Sequence, residues 1–506
     1  MKLKNSTYAV ILLTIMGTMG VWGCSKDSSP EPEPEKEKTN YTLTSDTSTL
    51  TFGNTEDSQD ITITTNVDTW VISSSGTGWI ELSVTSGTSG TTTVTITAEE
   101  NAGINGRTSE ITINANNVDA IKIPVTQSGA PSASGIYPDY NTDPIPADDS
   151  GMTSTAVEIA ANIGMGWNIG NTLEAIGGET AWGNPEVTKA LIDLVKQSGF
   201  TAVRIPSAWD QYLSDTENAK IKTEWLDRVK EVVQYCVDND LYVVLNIHWD
   251  GGWLENNVNE ASAEQVNAKQ KAFWEQIATH LRDFDEHLLF ASANEPNVED
   301  AAQMTVLNSY HQTFVDAVRS TGGRNAYRTL VVQGPTTDIE KTDNLMNSLP
   351  TDTVADRMMA EVHYYTPYQF CLMTEDANWG NMFYYWGEGY HSMTDTSRNA
   401  TWGEEADLIS LFQSMKTKFV DQGIPVILGE FAAIRRTSLT GDDLQLHLDS
   451  RAYYLKTVVK EAKANGLLPF YWDAGGLGDT GSGLFDRSDN TVFDQQALDA
   501  LLEGLN

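Results

Sequence analysis

Between about Gly151 and Asn506 the chain alternates eight times between a short apolar run and a stretch with helical spacing. The runs are I-G-M-G-W-N-I-G (163–170), A-V-R-I-P (202–206), Y-V-V-L-N-I-H (242–248) and L-L-F-A-S-A-N-E-P (288–296). They continue with L-V-V-Q-G-P (330–335), M-A-E-V-H-Y-Y (359–365), P-V-I-L-G-E-F (425–431) and L-P-F-Y-W-D (468–473). Runs this apolar read as strands covered on both faces, and parallel strands need a crossover that a helix supplies. Helical periodicity is clear at Val187–Gln197, Trp225–Val237, Val266–Phe284, Leu307–Val318, Leu408–Phe419 and Tyr453–Ala464. Eight such units over residues 151–506 predict an α/β fold of the (β/α)8 TIM-barrel type. A doubly wound sheet uses the same alternation. No G-x-G-x-x-G or G-x-x-x-x-G-K-[ST] follows any run, which disfavours it.

The polar interruptions of these runs carry the functional information. A charge in a strand buried on both faces costs several kcal/mol unless it is paired. Here polar and aromatic residues cluster at the C-terminal ends: Arg204, His248, Asn294 and Glu295, His363 and Tyr365, Glu430, and Trp472. In a barrel those ends converge on one mouth, where active sites form. A helix cap or a satisfied pair explains one such residue, but not six strands behaving alike. Two of the residues, Glu295 and Glu430, are carboxylic acids. Two carboxyls across a sugar site cleave a glycosidic bond, one protonating the leaving oxygen while the other attacks or activates water. Tyr365 and Arg204 are expected to hold Glu430 ionised, leaving Glu295 as the protonated partner.

Charge narrows the substrate. With 32 Lys and Arg against 70 Asp and Glu, the net charge is −38, which repels phosphate backbones and argues against nucleic-acid partners. A neutral polymer fits better. Of 14 Trp, Trp225 and Trp274 fall in helical patterns and read as core. Trp209, Trp249, Trp253, Trp379 and Trp386 fall in loops after strands, where stacking on pyranose faces is expected. The Gly-rich turn Gly475-Gly476-Leu477-Gly478 would help open a groove for a branched chain. No metal or cofactor is expected, because the chain lacks H-E-x-x-H, paired-cysteine and EF-hand patterns. Cys236 reads as buried packing and Cys371 as partly exposed; His280, His287, His311 and His447 read as surface or core residues.

The N-terminal third divides differently. Lys2 and Lys4 precede an apolar run from Tyr8 to Trp22 that ends at Gly23-Cys24, so residues 1–23 read as a secretory signal. Val21-Trp22-Gly23-Cys24 resembles a bacterial lipoprotein cleavage box, with Cys24 the lipidated residue; an ordinary cleaved signal is the alternative. Residues 24–40 hold E-P-E-P-E-K-E-K, an extended acidic tether similar to the surface-export signal of Bacteroidetes lipoproteins. An outer-membrane lipoprotein facing outward, and a monomer, are expected. Residues 41–129 alternate Thr or Ser with Ile or Val in short runs, as in a small all-β, immunoglobulin-like sandwich. Residues 130–150, with four Pro, read as linker, leaving 151–506 for the barrel. W-V-I-S at Trp70, G-W-I-E-L at Trp79 and I-K-I-P-V-T-Q (121–127) resemble the Bacteroidetes-associated carbohydrate-binding, often N-terminal (BACON) module. Trp70 and Trp79 are either sugar platforms or core.

R-I-P (204–206), N-I-H (246–248), A-N-E-P (293–296), H-Y-Y (363–365), L-G-E-F (428–431) and Y-W-D (471–473), in this order, resemble glycoside hydrolase family 5. The opening G-W-N-I-G-N-T-L-E-A (166–175) is similar to its endo-β-1,4-glucanases and xyloglucanases. The resemblance implies a retaining double displacement with Glu295 as acid/base and Glu430 as nucleophile. It also implies substrate contacts from Asn168, Arg204, His248, Trp249, Trp253, Asn294, His363, Tyr365 and Trp472, with Arg204 orienting Glu430. Where many relatives carry His-His, this chain has His248-Trp249. The expected substrate is a β-1,4-glucan, xyloglucan first. Cellulose, mixed-linkage glucan and mannan are the alternatives within the family, and a non-catalytic glycan-binding lipoprotein is the alternative outside it.

Overall fold

The computed structural model of the chain describes residues 40–76, 78–101, 106–128 and 135–506. Cys24, the signal segment and the acidic run lie outside the described residues.

The N-terminal block is a single seven-stranded sheet built on one long strand, Asp57–Ser74. In spatial order its strands are Leu50–Phe52, Ile121–Gln127, Arg107–Ala115, Asp57–Ser74, Ser86–Ala98 and Ile80–Leu82, with Leu43–Ser45 also on the long strand. The pairing with Ser86–Ala98 shifts register between Thr65 and Thr69, and the far half of the long strand then also pairs with Arg107–Ala115. Period-two residues Ile61, Ile63, Ile72, Val94, Ile96, Ile111, Ile113, Ile123 and Val125 close one core. Trp70 and Trp79 belong to that core. A side chain at Gly87 would meet the Trp70 ring at 2.3 Å, so this strand needs glycine to admit the indole. Arg107 covers the Trp79 ring at 4.5 Å. Of the two readings of these tryptophans, the core one holds.

The second block is a closed parallel barrel whose strands neighbour one another in chain order. They are Gly166–Ile169, Ala202–Ile205, Tyr242–Asn246, Leu288–Ala291, Leu330–Gln333, Met358–Tyr364, Val426–Phe431 and Leu467–Asp473. The eighth pairs with the first. Each falls on one of the eight apolar runs, and the six expected helices form outside them. Four helices escaped the periodicity because each spans fewer than three turns: Ala156–Asn162, Ile339–Leu345, Tyr368–Cys371 and Gln495–Glu503. The helix Ala156–Asn162, with a Thr155/Glu158 capping box, buries Ala156 and Ile159 among Ala202, Leu289, Met359, Ile427 and Leu468. Its Ala156 N–H bonds the Asp356 carbonyl, just ahead of the sixth strand, so the helix plugs the end opposite the mouth.

Part of the stretch read as linker lies against the barrel. Tyr140 donates its N–H to Glu275 and its hydroxyl to the Asn218 carbonyl, Gln265 donates to the Tyr137 hydroxyl, and Ile145–Ala147 pairs with Gly322–Gly323. The prolines exclude a helix there, while the two tyrosines supply anchors. Cys371 is also corrected: it is fully buried, its Sγ donating to the Tyr454 hydroxyl at 3.1 Å.

Candidate active site

Arg204, on the second strand, is fully buried and reaches four other elements. Its Nη1 donates to Asn168 Oδ1 (3.1 Å) and Glu430 Oε1 (2.8 Å), and Nη2 donates to Asn294 Oδ1 (2.9 Å). Nε lies 2.9 Å from Glu361 Oε1, a charge contact without hydrogen-bond alignment. A guanidinium this deep is tolerable because carboxylates surround it. Arg204 and Asn168, both expected to meet substrate, are wholly enclosed. Asn168 donates to the carbonyls of Gly429 (2.8 Å) and Tyr471 (3.3 Å), tying the first strand to the seventh and eighth. Both residues position the site rather than face the groove. Asn294, 4% exposed, is held in the same net.

Glu361 was missed by the sequence reading. It is fully buried on the sixth strand, with Oε1 3.2 Å from His363 Nε2 and Oε2 accepting from Gln333 Nε2 at 2.6 Å. A side chain on Gly429 would sit 2.0 Å from Glu361 Oε1, which accounts for the glycine in L-G-E-F. The signal was present: a glutamate inside an apolar strand, two residues before His363 and therefore on its face. Attention to strand ends passed over it. Burial opposes its charge, but Arg204 and His363 prevail and hold it below the ordinary carboxyl range.

His363 is the junction. Its Nδ1 is 2.7 Å from Glu295 Oε1 and 3.8 Å from Glu430 Oε2. One ligand atom from each of Glu295, His363 and Glu430 lies within 4.8 Å of the others. Tyr365 donates its hydroxyl to Glu430 Oε2 at 3.0 Å. Burial opposes protonation of His363, yet Glu430, Glu295 and Glu361 outweigh it and raise the imidazole to about 10. A charged His363 with both nitrogens committed to carboxylates is a poor ligand for a cation.

Three carboxyls, Glu295, Glu430 and Glu361, thus face two cations, Arg204 and His363, so one added proton makes the cluster neutral. Glu361 is held low, which leaves that proton to the interacting pair Glu295 and Glu430. The pair departs from the expected split. Burial raises Glu430 despite His363 and Arg204, and the charge on Glu295 adds to the rise. Burial also works to raise Glu295, but its bond to His363 wins and lowers it. The physical reason is the unequal hold of His363, whose Nδ1 lies 2.7 Å from Glu295 Oε1 but 3.8 Å from Glu430 Oε2; the Glu295 side chain is nonetheless 40% exposed.

Around this cluster lie the sugar-sized surfaces. His248 stacks parallel on Trp472, with ring centroids 5.6 Å apart, and burial with nearby Arg204 and His363 keeps it neutral. Trp472 borders a cavity of about 490 Å³ shared with Trp182, Asn184, Gly475 and Gly476, so the Gly-rich turn does line open space. Trp249 is exposed after the third strand. Trp253 is half-buried: its Nε1 donates to Asp250 (2.9 Å), Phe273 meets its ring edge to face and Lys269 lies 4.9 Å from its centroid. Trp209 and Trp386 are fully buried, whereas Trp379 is exposed, as are Trp182 and Trp402, which no pattern had singled out.

Residues 168–478 match the family model described as cellulase (glycosyl hydrolase family 5), and residues 42–130 match a viral BACON domain model. The chain is 39% identical to a xyloglucan-specific endo-β-1,4-glucanase of Bacteroides ovatus over 86% of both chains. It is 37% identical to an endoglucanase A of Paenibacillus barcinonensis, over 74% of this chain and 95% of that one. A solved Bacteroides ovatus family 5 xyloglucanase, in complex with a XXXG heptasaccharide, superposes with a TM-score of 0.78 at 36% identity, covering 92% of this chain and all of the other. The extent of these matches, over a barrel with paired glutamates at its mouth, settles the classification: the chain belongs to glycosyl hydrolase family 5.

Proposed function

We propose that this chain is an endo-acting β-1,4-glucanase that hydrolyses xyloglucan with retention of configuration. The observation that carries the reading is the approach of Glu295 and Glu430, whose carboxyl oxygens come within 4.8 Å. Retention calls for carboxyl groups about 5–5.5 Å apart, whereas inversion needs about 6.5–9.5 Å to admit a water. Glu430 attacks the anomeric carbon, with Arg204 and Tyr365 fixing its two oxygens. Glu295 gives its proton to the leaving oxygen. A sugar lying over Glu295 strips water from its exposed side and raises its proton affinity, which restores the split that the uncovered site lacks. When Glu430 becomes the glycosyl ester its charge is lost. Glu295 then stays ionised beside His363 and takes a proton from the incoming water.

Xyloglucan is favoured by the kinship with xyloglucan-specific enzymes and by the open cavity beside Trp472. A broader choice of glucans is the second reading, supported by likeness to a broad-specificity endoglucanase from Bacteroides salanitronis at 37% identity and a TM-score of 0.63. A polysaccharide panel, with product anomers followed by NMR, tests both points. Faster cleavage of mannan than of any glucan overturns the substrate, and an inverted product overturns the roles. Binding without turnover would support the non-catalytic alternative.

Membrane attachment at Cys24 and an outward-facing outer-membrane location are part of this proposal. They rest on the order of basic, apolar and cysteine residues over 2–24 and on the acidic run that follows. Loss of the protein from the membrane fraction in Cys24→Ser tests them. Action as a monomer is also part of this proposal.

A further inference from the structure

Beneath the main chain that carries Glu295 lies a fourth acid, Glu255, 94% hidden from solvent and outside the roles described above. It opens the one-turn helix Glu255–Asn257 in the loop after the third strand. Its Oε1 accepts the N–H of Glu295 at 2.8 Å, and its own carbonyl accepts the N–H of Asn297 at 3.0 Å. Pro296, between them, has no N–H to give. Every main-chain donor from Glu295 to Asn297 is therefore held by this one residue. The nearby Asn294 side chain favours the charged form of its carboxyl. The turn is itself anchored, since the Tyr310 hydroxyl donates to the Asn257 carbonyl at 2.8 Å.

We propose that Glu255 is a positioning residue for the acid/base: its carboxyl and carbonyl fix the main chain that bears Glu295. This rests on the reading of Glu295 as the acid. Around Glu295 stand His363 and Glu361 from the sixth strand, Arg204 from the second, Glu430 from the seventh and Glu255 from the loop after the third. His363 and Arg204 favour the carboxylate, and Glu361 favours the acid. Burial, despite the bond from Glu295 N–H, raises Glu255 to about 7, with the charge of Glu295 adding to the rise. Glu295, held low by His363, therefore loses its proton first, while Glu255 still holds the main chain as a neutral acid.

Glu255→Ala and Glu255→Gln separate position from charge. Alanine, lacking the acceptor, should lower kcat on polysaccharide by about 30-fold with KM within about twofold, as expected for a misplaced catalytic group. Glutamine should recover most of that kcat. It should leave the alkaline limb of the kcat profile in place, because Glu255 is uncharged where Glu295 titrates. On a dinitrophenyl glycoside, whose leaving group needs no proton, kcat/KM of Glu255→Ala should fall by less than about threefold. Equal losses on both substrates, or a kcat of Glu255→Gln as low as that of Glu255→Ala, would overturn the proposal. Glu295→Gln on the same two substrates is the control. If it also fails to discriminate between them, the fault lies with the reading of Glu295. Should Glu255→Ala not fold, Glu255→Asp, whose shorter side chain withdraws the acceptor from the Glu295 N–H, is read on the same two substrates with the same outcomes.

Discussion

The two folded blocks use buried residues in opposite ways. The β module fills its core with Ile and Val and two shielded tryptophans, Trp70 and Trp79. The barrel mouth buries ions instead: Arg204, Glu361, His363 and Glu430, each paid for by its neighbours' charge. Apolar burial stabilises wherever it is placed, but buried charge is tolerable only in one geometry. The chemistry should therefore be fragile in the barrel and indifferent to the module. The sharpest way to break this contrast is Glu430→Gln. It leaves the volume unchanged yet removes the nucleophile, and kcat on xyloglucan should fall by at least about 10⁴-fold. Near-normal turnover with an unaltered unfolding midpoint would refute the contrast at its root.

A smaller effect follows from Gly429→Ala. The added methyl occupies the space of Glu361 Oε1, so Glu361 must shift and the support of His363 and Arg204 with it. A displacement of about 1 Å in a catalytic constellation costs on the order of 10²-fold in kcat. The same substitution at Gly53 of the module, where nothing lies within 4 Å, should leave kcat alone. Equal kcat in the two variants would show that Glu361 does not govern the pair.

How far these features could be read beforehand follows from the same contrast. Period-two and period-3.6 patterns reveal burial on a face, so all eight barrel strands and the alternating module strands were legible. Glu295 and Glu430 were legible because charge at a buried strand's end has few structural explanations. Glu361 carried a signal, a charge inside an apolar strand, but its partners did not show. Glu255, in a one-turn helix, carried none, and only closure of the barrel brings the two to Arg204 and Glu295. Tryptophan exposure was also beyond reach: Trp209 and Trp249 both follow strands, yet only Trp249 emerges, since Trp209 donates to the buried Asn246 carbonyl.

The exposure of Glu295 predicts a difference between two pH profiles. In the free enzyme kcat/KM reports the pair while His363 holds Glu295 low. In the complex kcat reports it after sugar has excluded water, and desolvation raises a carboxyl. The protonated acid then survives to higher pH, so the alkaline limb of kcat should lie about one pH unit above that of kcat/KM. Coincident limbs would mean that substrate leaves the proton balance untouched, with His363 still holding Glu295 low during catalysis.

The smallest catalytic effect belongs to the module. Trp70 is buried against Gly87 and gives its indole N–H to the Thr88 carbonyl at 3.2 Å. Replacing it by alanine should cost about 3–5 kcal/mol. That is a large share of the roughly 5–15 kcal/mol that holds a domain folded. Protease should then cut within residues 42–128 while the barrel stays resistant. Because every group placed around Glu295 and Glu430 comes from the barrel, kcat/KM on a soluble oligosaccharide should remain within about twofold of the parent. A drop of tenfold would mean that the module reaches the catalytic cleft. Loss confined to insoluble polysaccharide would instead give the module a role in holding polymer, through a surface other than the two buried tryptophans.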